Sequence, residues 1–198
     1  MCPLFESIKI KDGKAFHLNL HQQRMDRSVK QVLGIKNKIK ILEILSQRNI
    51  PPSGLFKCRI SYTDKIIDFK ILPYQQKFIK TLKLVECNDI QYPLKFSDRE
   101  YLNDLLDRKG DADEIIIVKN DLITDSSYSN LVLWNGEDWH TPSTPLLQGT
   151  KREYLISKNK IKVVKIGVKD LKKYQKVGLI NAMMDLEDMP VIDISMLL

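Results

Sequence analysis

The sequence predicts a mixed α/β fold, α+β in arrangement and divided into two domains, and three observations carry that reading. Strand-like alternation and helix-like periodicity interleave along the chain, with no repeat and no low-complexity tract. Apolar residues fill 43% of the 198 positions, enough to build a substantial core and to exclude a disordered chain. A polar, turn-forming stretch from Asn88 to Asp98, with Pro93 inside it, breaks the pattern. It places an N-terminal domain at 1–88 and a C-terminal domain at 89–198.

The elements follow in order. Leu4 to Ile10 alternates, Lys11-Asp12-Gly13-Lys14 is a turn built on Asp-Gly, and Ala15 to Leu20 resumes strand character, so a hairpin opens the chain. Asn19 can cap a helix whose apolar positions Met25, Val29, Val32 and Leu33 share a face and which stops at Gly34. A second helix spans Lys38 to Arg48 ahead of Pro51-Pro52. Strands follow at Leu55 to Tyr62, Ile66 to Leu72 and Thr81 to Glu86, and close the first domain. In the second domain a helix from Asp98 to Arg108 leads into an Ile-rich strand, Asp113 to Lys119. Small hydroxyl residues, Thr124 to Ser129, then crowd between two apolar strands that end at Trp134. A short strand at Trp139 to Pro142 and a helix opening at Gly149 come next. The tail reads as strand (Ile161 to Ile166), short helix (Val168 to Tyr174), strand (Val177 to Met183) and an apolar terminus suited to burial.

Composition removes several classes of function. No apolar run approaches the roughly 20 residues of a membrane helix. Glu6 falls where a secretory signal needs its apolar centre. Cys2, Cys58 and Cys87 are odd in number and widely spaced, which fits a reducing cytoplasm rather than a disulfide framework. His17 and His21 lie four apart but lack the glutamate of a zinc helix, so no metal is expected. The net charge of +7 invites a nucleic-acid reading, yet 25 of the 32 basic residues are Lys spread along the chain and only 7 are Arg. That distribution argues for solvated faces instead of a phosphate-reading surface, and neither nucleic acid nor a membrane is expected as a partner.

One motif bears chemistry on its own. Gly149-Thr150-Lys151-Arg152 opens a helix, whose first-turn amides lack partners and attract anions, although most such starts bind only water. Its place in a longer series adds weight. The order Phe5-Glu6-Ser7-Ile8, His21-x-x-Arg24, Leu94-Lys95, Ile123-Thr124-Asp125-Ser126 with Asn130, Thr141-Pro142 and Gly149-Thr150-Lys151-Arg152 resembles the class IV aminotransferase family. These are the fold type IV enzymes of pyridoxal 5'-phosphate, and the resemblance runs collinearly from Phe5 to Met189. Within the family, Leu94-Lys95-x-x-Asp98-Arg99 and Leu179-Ile180-Asn181-Ala182-Met183-Met184 look most like the aminodeoxychorismate lyase branch.

The resemblance implies roles for individual residues. Lys95 becomes the Schiff-base lysine, which condenses with the cofactor aldehyde, is displaced by the substrate amine and then moves protons. Arg24 matches the arginine that grips the cofactor phosphate, a task suited to a permanent, forked cation. Gly149, Thr150 and Lys151 match the phosphate-binding helix start, and the Lys151 side chain either adds charge there or points to water. Asp125 stands where the family usually has glutamate, the carboxylate that keeps the pyridine nitrogen protonated. It is shorter by one carbon–carbon bond, about 1.5 Å. Ser129 and Asn130 fix the turn beside it, and Asn181 with Ala182 match the loop that approaches the phosphate. His21 is expected to pack or hold the helix rather than to catalyse.

The fold implied by the resemblance is a small N-terminal α/β sandwich and a C-terminal pseudobarrel, with the cofactor in the cleft and a homodimer completing the site. The activity implied is loss of pyruvate from 4-amino-4-deoxychorismate to give 4-aminobenzoate. Two alternatives remain open on the residues: transamination of a small amino acid of the branched-chain or D type, and a basic binding protein that has lost the chemistry. The chain starts almost at the Phe-Glu-Ser-Ile strand, where many relatives carry additional N-terminal residues, so substrate contacts from such an arm are not expected.

Overall fold

The computed structural model describes residues 2–198, which gather into two compact units. One comprises the chain up to Gln76 together with Leu94–Asp98, and the other comprises Lys77–Pro93 with Arg99–Leu198.

The first unit is built on a four-stranded antiparallel sheet of order β2-β1-β3-β4, with β1 Leu4–Lys11, β2 Lys14–Ala15, β3 Leu55–Tyr62 and β4 Ile66–Pro73. β1 pairs with β3 over its whole length, from Leu4 opposite Tyr62 to Lys11 opposite Leu55. Alternation sends Leu4, Ile8 and Ile10 to one face with Cys58, Ile60 and Tyr62. Helices α1 (Leu18–Leu33) and α2 (Ile41–Ser46) pack on these residues through Met25, Val29, Ile41 and Leu45. The expected Asp-Gly hairpin forms, with Asp12 and Gly13 both at positive φ (48° and 76°).

Three expectations shift here. The second hairpin strand ends at Ala15 instead of Leu20, because only Ile10 and Lys11 pair with it. His17, at φ 54°, then turns the chain, so the helix is preceded by His17 and not by Asn19, which falls inside the first turn. α2 is shorter than Lys38 to Arg48, because the amides before it bond to side chains: Ile39 donates to Asn37 Oδ1 and Ile41 to Gln22 Oε1, both at 2.9 Å. Gly34 ends α1 at φ 69°, as expected.

The second unit holds two sheets. β5 (Leu82–Glu86) runs parallel to β6 (Glu114–Lys119), with α3 (Glu100–Asp107) between them in sequence, and β7 (Leu122–Ile123) pairs antiparallel with β6. The other sheet has the order β10-β9-β8-β11-β12 and comprises β8 Asn130–Trp134, β9 Trp139–Pro142, β10 Lys162–Val164, β11 Lys176–Ile180 and β12 Val191–Asp193. Helix α4 (Thr150–Ser157) joins the parallel pair β9 and β10. β11 is shorter than expected because Asn181 starts a turn, its Oδ1 accepting from Met183 N at 2.9 Å. The apolar tail adds β12, with Ile192 buried, and Leu198 N donates to Leu82 O at 2.8 Å.

The division differs from the expected boundary at residue 88. β5 belongs with the second unit, since its partner is β6. Leu94–Asp98 returns to the first because Phe96 bridges Leu4, Phe5 N donates to Lys95 O at 2.9 Å and Ser97 N to Pro3 O at 2.7 Å. Among the described residues no helix is long and apolar enough to cross a membrane.

Candidate active site

In the first unit the sequence-predicted residues Arg24 and His21 are joined by a residue that sequence reasoning missed, and the charge of Lys95 reaches His21. Glu6 sits on the apolar face of β1 between Leu4 and Ile8, with none of its surface exposed. A carboxylate there must be compensated. His21 and Arg24, three apart on α1, supply the compensation from one helix face. Arg24 donates from Nε to Oε1 at 2.9 Å and from Nη2 to Oε2 at 2.5 Å. His21 Nδ1 lies 2.6 Å from Oε2 and must be the donor, since a carboxylate only accepts. Burial works to raise the pKa of Glu6, but the Arg24 guanidinium and then His21 overcome it and hold the pKa at about 2. His21 is pushed the other way. Burial lowers its pKa, the Glu6 bond opposes that, and the charges of Arg24 and Lys95 add to the lowering. The imidazole is therefore neutral at pH 7, with Nε2 buried and lacking a hydrogen-bond partner among the described residues. Two of the five N–H groups of Arg24 are committed to Glu6, so its fork is oriented by the protein.

Lys95 is half-buried and its Nζ stands 4.6 Å from the centroid of the Phe5 ring. The Phe5 N–H bond to Lys95 O ties the Lys95 backbone to β1. Arg59, from β3, places its guanidinium carbon 3.8 Å from the same ring.

In the second unit the structure brings together Asp125, Ser129, Asn130, Gly149, Thr150 and Lys151. Asp125 is fully buried, with Oδ1 accepting from Asn130 Nδ2 at 2.8 Å and Oδ2 from Leu147 N at 2.9 Å. Burial raises its pKa to about 6 against the pull of those two donors and of the Arg152 charge. Asn130 Nδ2 also donates to Leu147 O at 2.9 Å, so one amide ties the carboxylate to the loop that enters α4. Gly149 is glycine for space: a Cβ there would fall 2.0 Å from Asn130 Oδ1. Its φ of −74° would suit any residue. The first intrahelical bond of α4 is Glu153 N to Gly149 O, so the amides of Thr150, Lys151 and Arg152 precede the ladder, and Gly149 has no side chain with which to cap them.

The hydroxyl turn is clamped from several sides. Ser126 Oγ accepts from Ser129 N at 3.0 Å and lies 2.8 Å from Ser129 Oγ, which assigns Ser129 to the turn. Buried Glu114 accepts from Ser127 Oγ at 2.9 Å, and Arg99 Nη2 donates to Ser127 O at 2.6 Å. The side chain of Lys151 neither points to water nor stands as a bare charge. It is 1% exposed and pairs with Asp185 of the turn that follows Asn181 and Ala182. Arg152 donates to Thr141 Oγ1, Gln148 Oε1 and Pro142 O, which locks α4 against β9.

Among the residues missed, Glu6 had a signal: an acid in the apolar phase of an alternating strand, with His and Arg three apart on the following helix. Glu114, Arg59 and Asp185 had none, since nothing local separates them from solvated charges.

The chain is similar to several known proteins. A family model for amino-transferase class IV matches residues 98–191. An uncharacterised protein of Haemophilus influenzae is 40% identical over 186 residues, covering 92% of this chain and 98% of its own. The crystal structure of a candidate 4-amino-4-deoxychorismate lyase from Haemophilus somnus is 38% identical, with a TM-score of 0.89 and coverage of 94% of this chain and 98% of that one. A hypothetical aminotransferase of Mycobacterium tuberculosis in its PLP-bound form shares the fold, at 15% identity and a TM-score of 0.71, over 96% of this chain and 80% of that one.

Proposed function

We propose, from the premise that this chain belongs to the class IV aminotransferases, that it is a pyridoxal-phosphate lyase releasing pyruvate from 4-amino-4-deoxychorismate to leave 4-aminobenzoate. The observation that carries the cofactor reading is the Asn130 tie. It builds a buried carboxylate and a helix start into one piece, and those are the two groups that a pyridinium nitrogen and a phosphoryl group need. The residues fit: the two oxygens of Asp125 each accept one bond from the protein and retain lone pairs for another donor. The likeness in sequence to the Haemophilus somnus lyase candidate supports the lyase over its relatives.

When bound, pyridoxal phosphate supplies an aldehyde and a ring able to hold an electron pair. Lys95 Nζ would be the amine that holds the group and, with the substrate amine in its place, would take the proton from the substrate carbon bearing nitrogen and return it as general acid when pyruvate leaves. Asp125 would keep a proton on the ring nitrogen, its carboxylate aimed by Asn130 and the Leu147 amide. Arg24, the amides of Gly149, Thr150 and Lys151, and the turn at Asn181 and Ala182 would be the groups that hold the phosphoryl end. We place the enzyme in the cytoplasm as a homodimer acting on a small amine; its three cysteines are free thiols, as a reducing compartment requires.

The purified protein mixed with pyridoxal phosphate should show a lysine-bound cofactor band that Lys95→Ala abolishes, and should form pyruvate and 4-aminobenzoate from 4-amino-4-deoxychorismate. A colourless protein would refute the cofactor reading and favour a binding protein without chemistry. Conversion of the cofactor to its amine form by an amino acid, with no pyruvate from the lyase substrate, would support the transaminase that the shared aminotransferase fold keeps in view.

A further inference from the structure

We propose that Asp185 is a positioning residue for the phosphoryl end of the cofactor: through its ion pair with Lys151 it sets the turn at Asn181 and Ala182 against the start of α4. The proposal rests on the pyridoxal-phosphate reading above, but the evidence for the pair is separate. Lys151 is the second residue of α4, and its side chain is 1% exposed while the carboxylate that receives it is 39% exposed. A lysine there is unfavourable on two counts. Burial strips water from the ammonium, and the first turn of a helix already carries the positive end of the dipole. An apolar side chain of similar length would fill the space without either penalty. Buried ion pairs add little net stability and are best attested as devices that fix register. This one is suited to fixing which part of the turn meets α4.

Each side that the pair joins is held by contacts of its own. Arg152 fixes α4 to β9 by donating to Thr141 Oγ1 and Pro142 O, and Asn130 holds the entry loop through Leu147 O. After β11, Asn181 O accepts from Met184 N at 3.1 Å, closing a turn that delivers the chain directly to Asp185. Asp185 N donates to Asp188 Oδ1 at 2.6 Å and Asp188 N to Asp185 O at 3.2 Å, so a second turn fixes the backbone that carries the carboxylate. Met189 returns the chain to β11, where Gly178 leaves it room: a Cβ there would fall 2.5 Å from Met189 Cε. With a closed turn between them, the Cα atoms of Asn181 and Asp185 lie within about 11 Å of each other. A shift of Asp185 is therefore felt at Asn181 and Ala182. A phosphoryl group that takes donors from both α4 and this turn depends on their relative placement, because hydrogen bonds weaken steeply with distance and angle.

Charge alone predicts the opposite sign. Taking away the carboxylate leaves an ammonium in the first turn of α4 whose field would draw a phosphoryl group in, whereas loss of position weakens its binding. The test titrates the cofactor-free full chain with pyridoxal phosphate and with pyridoxal, which has the aldehyde and ring but no phosphoryl group. The lysine-bound band is read in wild type, Asp185→Asn and Lys151→Met. Asp185→Asn should weaken pyridoxal phosphate roughly 10-fold, the scale of one lost charge-assisted bond, and leave pyridoxal unchanged. Lys151→Met, which keeps the backbone amide, should do the same, and the double variant should be no weaker than either single one. Tighter pyridoxal phosphate in Asp185→Asn, or additive losses in the double variant, would overturn the proposal in favour of separate charge effects. Equal losses for pyridoxal phosphate and pyridoxal would also overturn it, being the mark of a loosened fold, as would unchanged affinity in both variants. Melting curves taken in parallel establish that each variant is folded at the titration temperature. No band with either compound in wild type would overturn the cofactor reading itself.

Discussion

Replacing Glu6 by Gln tests the buried charge cluster with a change of one atom. The side chain keeps its shape but loses its charge, and its amide nitrogen must face a donor on Arg24 or His21. Two routes give the size of the loss. The pKa of Glu6 is held at about 2 against an ordinary 4.5, which at 1.36 kcal/mol per unit corresponds to about 3 kcal/mol. Removing one partner of a buried ion pair independently costs about 3–5 kcal/mol. For a chain of this size each kcal/mol moves the midpoint by about 2–4 °C, so the variant should melt roughly 6–12 °C lower at pH 7. The sign of the pH dependence follows from a depressed folded-state value. The stabilisation is complete above the unfolded value near 4.5 and is lost as pH falls through about 2. The gap between wild type and Glu6→Gln, measured by thermal or urea unfolding, should therefore hold from pH 7 to about 5 and narrow on further acidification. A gap below about 1 kcal/mol at pH 7, or one that stays constant as pH falls to about 3, would refute the reasoning.

Gly149→Ala should cost about 2–4 kcal/mol, because the new Cβ expels Asn130 from its bonds to Asp125 and Leu147. Combined with Asn130→Ala it should cost at least about 1 kcal/mol less than the sum of the single losses, and strict additivity in a double-mutant cycle would refute the steric link. Asp185→Ala should destabilise by about 3 kcal/mol, since it strips a carboxylate from a lysine that is 1% exposed. Lys151→Met should cost less, because Asp185 is 39% exposed and can be hydrated; equal losses in urea unfolding would contradict this asymmetry. Asp125→Glu, which adds one methylene at a buried position, should cost about 1–3 kcal/mol by overpacking, and a variant as stable as the parent would show that the site has room.

Periodicity located most of the strands and all four α-helices because each element buries a face whose pattern is local. Element ends and the division into units were less legible, and for one physical reason. Where a strand stops, and which sheet it joins, depends on partners distant in sequence. β5 reads as a continuation of the first sheet until β6, nearly thirty residues later, pairs with it. His17 displaces Asn19 at the start of α1 because the partner edge of β1 runs out, which no property of residues 15–19 announces. Lys95, Arg24 and Asp125 were marked by their order along the chain. Their partners were less so: Glu6 was marked only as an acid in the apolar phase of β1, and Leu147 contributes a backbone amide that any residue would supply.

The two buried carboxylates show what the sequence hides and the fold decides. Glu6 and Asp125 are both removed from water, and each accepts well-formed hydrogen bonds, yet one is held at about 2 and the other at about 6. The difference lies in where the cation is. Arg24 forks directly onto Glu6, so the protein supplies the countercharge and gains stability from it. Arg152 is spent on Thr141, Gln148 and Pro142, and reaches Asp125 only as a weaker distant charge. A value raised from 3.8 to about 6 means that ionising Asp125 costs stability, a cost that grows as pH rises from about 4 to about 6 and stands in full above it. Under the function proposed above, a protonated pyridine nitrogen beside Asp125 would offset that cost. Glu6, by contrast, has its countercharge within the protein.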